Sequence, residues 1–416
     1  MSLPTTTTTV AGYLLRRLTQ AGVRSVFGVP GDNNLTLLDA IADHQEMTWI
    51  GTATEQGAGY AADGYARLRG LGAIVTASGA GELSALNAVA GSDAESVPVV
   101  HVVGTPALAA RRGDRSGDDH LRFARMAAVV TAAQADLRPE TAAAEIDRVL
   151  SVALRTRSPV YLAIPADVTP APVPVPGPPL PAPWPVSDTD AAVLSAFAGQ
   201  ARRLRVGAAS TAPLAIPASV PVEPLSQASL WAGVQDFLLP GDVVVAGRGT
   251  AFYGAAGLSL PAGARLISQP LWASAGWALP ATLGASLAAP DRRVVLITGD
   301  GALQQTAGEL GVLLAQGLAP VIVVLNNAGY AIERTAHRPA AAYHGIPAWD
   351  WTTLPSVLAA GSPSVAMRVM SSRQLAAAFR AAGDAGRPVL IDAVLGADDA
   401  PPLLQDLARA TAAASR

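Results

Sequence analysis

Apolar positions along the first 165 residues alternate between two spacings. Over 10–21 they fall every three to four residues, which predicts a helix that buries one face. Over 24–29 they run almost without interruption into the turn Pro30-Gly31-Asp32, which predicts a short buried strand. Helical spacing returns over 33–43 and again over 55–69, where the sequence EQGAGYAADGYARLR is rich in small residues that permit close packing. Further strands are predicted at 73–77, 98–103 and 159–164. This alternation describes a doubly wound α/β domain with a mainly parallel sheet. The pattern then breaks, because residues 169–185 (TPAPVPVPGPPLPAPWP) are about half proline and predict an extended, semi-rigid linker. Some 35 residues of weak periodicity follow. Alternation resumes near Ser226, with strands at 243–246, 294–298, 321–325 and 388–393, and helices over 275–288, 302–316 and 374–382. The expected organisation is one α/β domain over 1–168, a proline-rich linker with a reduced middle segment over 169–225, and a second α/β domain over 226–416. No short sequence repeat relates the two.

Composition narrows the chemistry. Half of the 416 residues are hydrophobic and 15% are charged, enough apolar material for large cores. A net charge of −3 gives no electrostatic case for nucleic acid or an anionic membrane. There is no cysteine, and all 29 basic residues are arginine. This excludes thiol nucleophiles, thiolate metal sites, lysine Schiff bases and a Walker-type phosphate lysine. Reactivity must come from carboxylates, the five histidines, hydroxyls or a borrowed cofactor. The N-terminal threonine run has no basic or long apolar region, and the apolar stretches are strand-length, so a soluble, cytoplasmic protein is expected.

The strongest local signal is Gly299-Asp300-Gly301 followed, 24 residues on, by Asn326-Asn327. GDG alone is a common turn. Here, however, it stands between a predicted strand and a predicted helix, and the asparagines end the next strand. Asp300 and Asn327 are thereby expected at the same carboxyl edge of a parallel sheet, where such sheets bind ligands. The N–H groups opening the helix would face an anion such as a diphosphate. A carboxylate, an amide oxygen and the Gly329 carbonyl form a hard oxygen set suited to Mg²⁺.

Together these residues resemble the thiamine-diphosphate enzymes, and among them the pyruvate and indolepyruvate decarboxylase group of 2-keto acid decarboxylases. FGVPGDNNLTLLD, TEQGAGYAADGYAR and GELSALNAVAGSDAESVPVVHVVGTP resemble that family's pyrimidine-binding domain. QPLWASAGWALPA, ITGDGALQQTAGELG, NNAGYAIERTAH and YHGIPAWDWTTLP resemble its diphosphate-binding domain. The resemblance implies thiamine diphosphate and Mg²⁺ as cofactors, a 2-keto acid as substrate, and a homodimer or tetramer with the site at the subunit interface. It makes Glu55 the carboxylate that meets the cofactor's pyrimidine ring, contributed by the partner subunit. Asp300, Asn327 and Gly329 become the metal set, while Gly249, Thr250, Ala273, Ala275, Gly299, Gly301 and Ala302 surround the cofactor. Asp32 and Glu333 become the acids that move protons at the reacting carbon, although each alone reads equally as a turn or surface charge. A carboligase making 2-hydroxyketones, or a binding scaffold with weakened turnover, are the alternatives.

Three departures from the family pattern stand out. Arg111 and Arg112 occupy about the place of a His-His pair, and an arginine cannot shuttle protons near neutral pH. They read either as solvated loop charges or as a clamp for a second anionic group on the substrate, with His120 the nearest histidine able to replace the pair. Ala275, in Trp272-Ala273-Ser274-Ala275-Gly276, stands where a bulky aliphatic props the cofactor, and Arg248 and Ala251 flank and alter the Gly-Thr-Ser segment. The family's middle domain is essentially missing.

Overall fold

The computed structural model describes residues 7–110, 117–175, 177–183, 223–336 and 340–406. The chain divides into two compact units, Met1–Ser187 with Leu283–Pro290, and Asp188–Thr282 with Asp291–Arg416.

In the first unit the strands are β1 (Thr7–Thr9), β2 (Ser25–Gly28), β3 (Thr48–Gly51), β4 (Gly72–Ala77), β5 (Val99–Thr105), β6 (Ala133–Asp136), β7 (Val160–Pro165) and β8 (Pro172–Pro174). Six of them form a parallel sheet in the order β3-β2-β4-β5-β7-β6. β2, β5 and β7 are buried at every residue, which is why they read as continuous apolar runs: helices cover both faces of such a sheet. The helices Val10–Gln20 and Ala142–Thr156 bury their apolar stripes in one core with β2, β4, β5 and β7. Within that core Arg17 is only 2% exposed, and it pairs with Asp147 through two hydrogen bonds of 2.7 and 2.6 Å. Burying the guanidinium is tolerable because a bidentate acid and the Pro178 carbonyl take up its donors.

The second unit carries β9 (Val243–Ala246), β10 (Arg265–Ser268), β11 (Val294–Gly299), β12 (Val321–Asn326), β13 (Val365–Val369) and β14 (Val389–Val394). Its parallel sheet runs β10-β9-β11-β12-β14-β13. Numbered in chain order within each six-stranded sheet, both have the order 2-1-3-4-6-5. Two sequences without a recognisable repeat therefore share one topology.

Two expectations are corrected. The helix expected over 302–316 is two helices, Asp300–Gln304 and Gly308–Ala315. The break falls at Thr306, whose hydroxyl donates to the Gly276 carbonyl at 2.8 Å instead of staying within a helix. The proline-rich segment is not only a linker: Pro172–Pro174 pairs antiparallel with Thr7–Thr9, and Val173 enters the first core.

His101 sits in the middle of β5 at 1% exposure. Its Nε2 lies 2.9 Å from the Thr76 hydroxyl, while Nδ1 has no partner among the described residues. Burial lowers its pKa from 6.5 to about 3, so the folded protein keeps the ring neutral. As pH falls from 6.5 toward 3, the unfolded chain binds a proton that the folded one refuses, and stability is lost across that window. Urea unfolding of His101→Gln is expected to show a shallower loss of stability over this range than the wild type; identical slopes would refute the assignment.

Candidate functional site

In the second unit β9 and β11 are neighbours, yet the chain leaves β9 toward β10 on one side and β11 toward β12 on the other. Loops leaving the carboxyl ends of such a pair diverge and open a cleft. That cleft is a cavity of about 310 Å³. Gly249 and Thr250 reach it from beyond β9, and Ala273 and Ala275 from beyond β10. Gly299, Asp300, Gly301 and Ala302 come from the end of β11, and Asn327, Gly329 and Glu333 from beyond β12. Every second-unit residue expected to hold the cofactor or metal or to move protons lines this one cavity. Arg248, Tyr330 and Ile332 complete its wall.

Asp300 is 2% exposed. Its Oδ1 accepts from the Gly301 N–H at 2.7 Å and its Oδ2 from the Gly329 N–H at 3.2 Å. Burial pushes its pKa up to about 6, against these and neighbouring backbone N–H groups that favour the carboxylate. No basic side chain pairs with it among the described residues. Beside it Asn327 is 3% exposed, and its Oδ1 has no hydrogen-bond partner among the described residues. A buried carboxylate without a cation and a buried amide oxygen without a donor are the two groups a hard divalent cation would satisfy. The described residues contain no cluster of three or more acids or histidines, so the site would depend on this mixed oxygen set.

The loop carrying Asn327 is held in strained backbone. Ala328 adopts φ 56° and Ala273, across the cavity, φ 62°, both left-handed conformations that a non-glycine residue rarely takes. Gly329 at φ 144° could carry no side chain, because a Cβ there would run into the His344 carbonyl. The loop is fastened by Tyr330 N–H to the His344 carbonyl at 2.9 Å. It is also fastened from below by Arg334, 9% exposed, whose guanidinium donates to the carbonyls of Ala397 at 2.5 Å and of Asn327 and Ala328 at 3.4 Å each. Nothing in the local sequence marks Arg334, which reads there as an ordinary helix charge.

In the first unit Glu55 follows β3 and opens the helix Glu55–Arg69, capped by the Thr54 hydroxyl accepting from the Gly57 N–H. The half-buried Glu55 carboxylate packs over Gly81, where a methyl group would come within 3.2 Å of Oε1. Next to Gly81, Glu82 is buried, accepting from the Gly79 N–H and the Tyr161 hydroxyl, each at 2.7 Å. Asp32 lies exposed in the turn after β2. Glu55 and Asp32 thus both stand at the carboxyl edge of their own sheet. Arg111 and Arg112 lie outside the described residues, as does His337. His120 falls in the helix Gly117–Ala127, but its side chain is likewise outside the description.

Residues 8–125 match the family described as "Thiamine pyrophosphate enzyme, N-terminal TPP binding domain", and residues 249–393 its C-terminal TPP binding domain. The class is therefore that of the thiamine pyrophosphate enzymes. An alpha-keto-acid decarboxylase of Mycobacterium ulcerans is 37% identical over 540 residues, covering 96% of this chain and 95% of the relative. One of Mycolicibacterium paratuberculosis is 36% identical over 544 residues, covering 97% and 96%. The chain belongs to the alpha-keto-acid decarboxylase family, thiamine-diphosphate-dependent carboxy-lyases. In fold it is similar to a Rhodococcus jostii RHA1 thiamine diphosphate-dependent 4-hydroxybenzoylformate decarboxylase, with TM-score 0.74, 18% identity, and 94% of this chain and 100% of that one covered. No helix among the described residues is long and apolar enough to cross a membrane.

Proposed function

We propose that the chain is a Mg²⁺- and thiamine-diphosphate-dependent enzyme that decarboxylates a 2-keto acid without oxidation, yielding an aldehyde and carbon dioxide. The observation that carries this reading is the juxtaposition, in one cavity, of the unpaired buried carboxylate of Asp300 with the donorless amide oxygen of Asn327. Those two groups and the Gly329 carbonyl would hold the metal ion. Gly249, Thr250, Gly299, Gly301 and Ala302 would surround the diphosphate, and Ala273 and Ala275 the ring beyond it. When bound, thiamine diphosphate supplies a carbon nucleophile and an electron sink that no side chain of this chain can provide.

The chain's own residues handle protons and position. Glu55 would hold a proton at the pyrimidine ring, with Asp32 and Glu333 giving and taking protons near the reacting carbon. Arg111, Arg112 and His120 stay as substrate-side candidates. Glu55 would come from a partner copy, making the catalytic unit at least a homodimer, in the cytoplasm. Residues 1–168 would be the pyrimidine-binding domain, 226–416 the diphosphate-binding domain, and 169–225 the linker that stands in for a middle domain. Aligned spans of 540 and 544 residues against a chain of 416 support that last point.

A second reading is carboligation: Ala275, which lines the cavity where the family pattern has a bulky aliphatic residue, would leave room there for a second carbonyl compound. Purified protein with Mg²⁺, thiamine diphosphate and a panel of 2-keto acids is expected to release carbon dioxide and free aldehyde. Hydroxyketone formed with an added aldehyde would establish the second reading. Cofactor binding without carbon dioxide release from any keto acid would reject both.

A further inference from the structure

Several buried and half-buried arginines among the described residues are held by acceptors: Arg17 by Asp147, Arg67 by Asp63, Arg293 by Asp242, and Arg334 by three carbonyls. Arg248 is different. It is half-buried in the wall of the cavity, one residue before Gly249. Its one hydrogen bond among the described residues is long, Nη1 to the Tyr253 hydroxyl at 3.4 Å, and no described acid lies within 4 Å of it. What fixes it is aromatic: its guanidinium carbon stands 5.7 Å from the Phe252 ring centre and 5.5 Å from that of Tyr253. Two ring faces hold the fork in place without consuming its N–H donors. Arg248 is also the one cation among the described residues that line this cavity, whose wall includes the acids Asp300 and Glu333.

A planar fork with free donors, held in a ligand cavity, is a receptor for an anion that arrives from outside. It is poorly used on the carboxylate that leaves. That group loses its charge as carbon dioxide forms, so a guanidinium on it would favour the bound substrate over the transition state and slow the reaction. An anionic group that survives the reaction carries no such penalty. We propose that Arg248 pairs with a second anionic group of the substrate, so that the preferred substrates are 2-keto acids bearing a further carboxylate beyond the reacting carbon. This rests on the decarboxylase reading above and names the substrate class of that same site. It transfers to a described residue the role that the sequence suggested for Arg111 and Arg112.

The cofactor's diphosphate is the other anion that could reach the same fork, and the experiment separates the two sources. The Mg²⁺- and thiamine-diphosphate-loaded enzyme is assayed on 2-oxopentanedioate and on 5-methyl-2-oxohexanoate, in which an isopropyl group replaces the distal carboxylate with little change of shape. Homologous pairs one methylene shorter and longer are included. The wild type is expected to favour the dianion in at least one pair. Arg248→Gln is expected to lower the dianion-to-isopropyl ratio of kcat/KM by about 30-fold, and Arg248→Lys to restore part of it. Being a ratio, this readout is insensitive to the fraction of folded enzyme. Titration with non-reacting pentanedioate is expected to show a matching loss of affinity in Arg248→Gln. A ratio that Arg248→Gln leaves unchanged would overturn the proposal. So would a wild type that favours the isopropyl analogue at every length, or a variant whose loss lies in affinity for thiamine diphosphate. If the wild type binds cofactor but turns over no keto acid, the decarboxylase reading fails, and the pentanedioate titration still decides whether Arg248 receives the anion.

Discussion

An Asp300→Asn variant is expected to lose about three orders of magnitude in affinity for thiamine diphosphate in the presence of Mg²⁺, following the roughly 3–5 kcal/mol cost of removing one partner from a buried charge pair. Asp300 is the only charged member of the oxygen set it shares with Asn327 and Gly329. An asparagine keeps the shape but cannot balance a divalent cation. Its amide nitrogen would also face one of the backbone N–H groups, of Gly301 or Gly329, that now donate to the carboxylate. Stability should move differently. Burial raises the pKa of Asp300 to about 6, so at neutral pH the apo fold bears the cost of an ionised buried acid. The apo variant is therefore expected to melt no lower than the wild type while failing to gain the thermal shift that cofactor and Mg²⁺ give the wild type. Calorimetric titration and melting curves check both halves. Near-wild-type cofactor affinity in Asp300→Asn would remove Asp300 from the metal set.

How far the sequence discloses this arrangement depends on how local the signal is. Central strands such as β5, β7, β11 and β12 are almost wholly buried and read as apolar runs, broken in β5 only by His101 before its Gly-Thr end. Strands at the sheet margins do not. β3 (TWIG), β6 (AQAD) and β13 (VAMRV) are short, with exposed or half-buried positions that dilute the pattern. β8 is invisible in sequence because its prolines argue against a strand, yet as an edge strand it needs few donors from them. The cavity was legible because its residues follow strand ends: a parallel sheet with a switch point gathers Gly249, Asp300 and Asn327 at one edge from three separate places in the chain. Arg334 and the tilt of Arg248 onto two rings were not legible. Both depend on contacts made only after the loops have folded: Arg334 looks in sequence like ordinary surface charge, and Arg248 stands out only as a departure beside the Gly-Thr-Ser segment.

Glu55 supports the sharpest separation of binding from catalysis. It opens a helix, is half-buried, and lies over Gly81, where an added methyl group would come within 3.2 Å of its carboxyl oxygen. Glutamine is the same size, so Glu55→Gln should preserve the helix start and the packing on Gly81. What it loses is the ability to give or take a proton at the pyrimidine ring. The expected result is a fall in kcat of about 10²–10⁴, the range set by loss of a general acid or base, with cofactor affinity held within about fivefold. Steady-state kinetics and calorimetric titration check the two quantities, and quenched-flow NMR of proton exchange at the thiazolium carbon should slow in step with kcat. Wild-type kcat in Glu55→Gln would refute the assignment. The same variant also decides whether sites are shared between copies. Glu55→Gln and Asp300→Asn chains are each expected to be nearly inactive at limiting cofactor, but co-refolded in equal amounts they should form mixed dimers in half of all pairings. If Glu55 of one subunit serves the cavity of the other, each mixed dimer holds one intact site, and about a quarter of wild-type activity should return. If each chain completes its own site, mixing restores nothing, and the homodimer ceases to be a requirement of the chemistry.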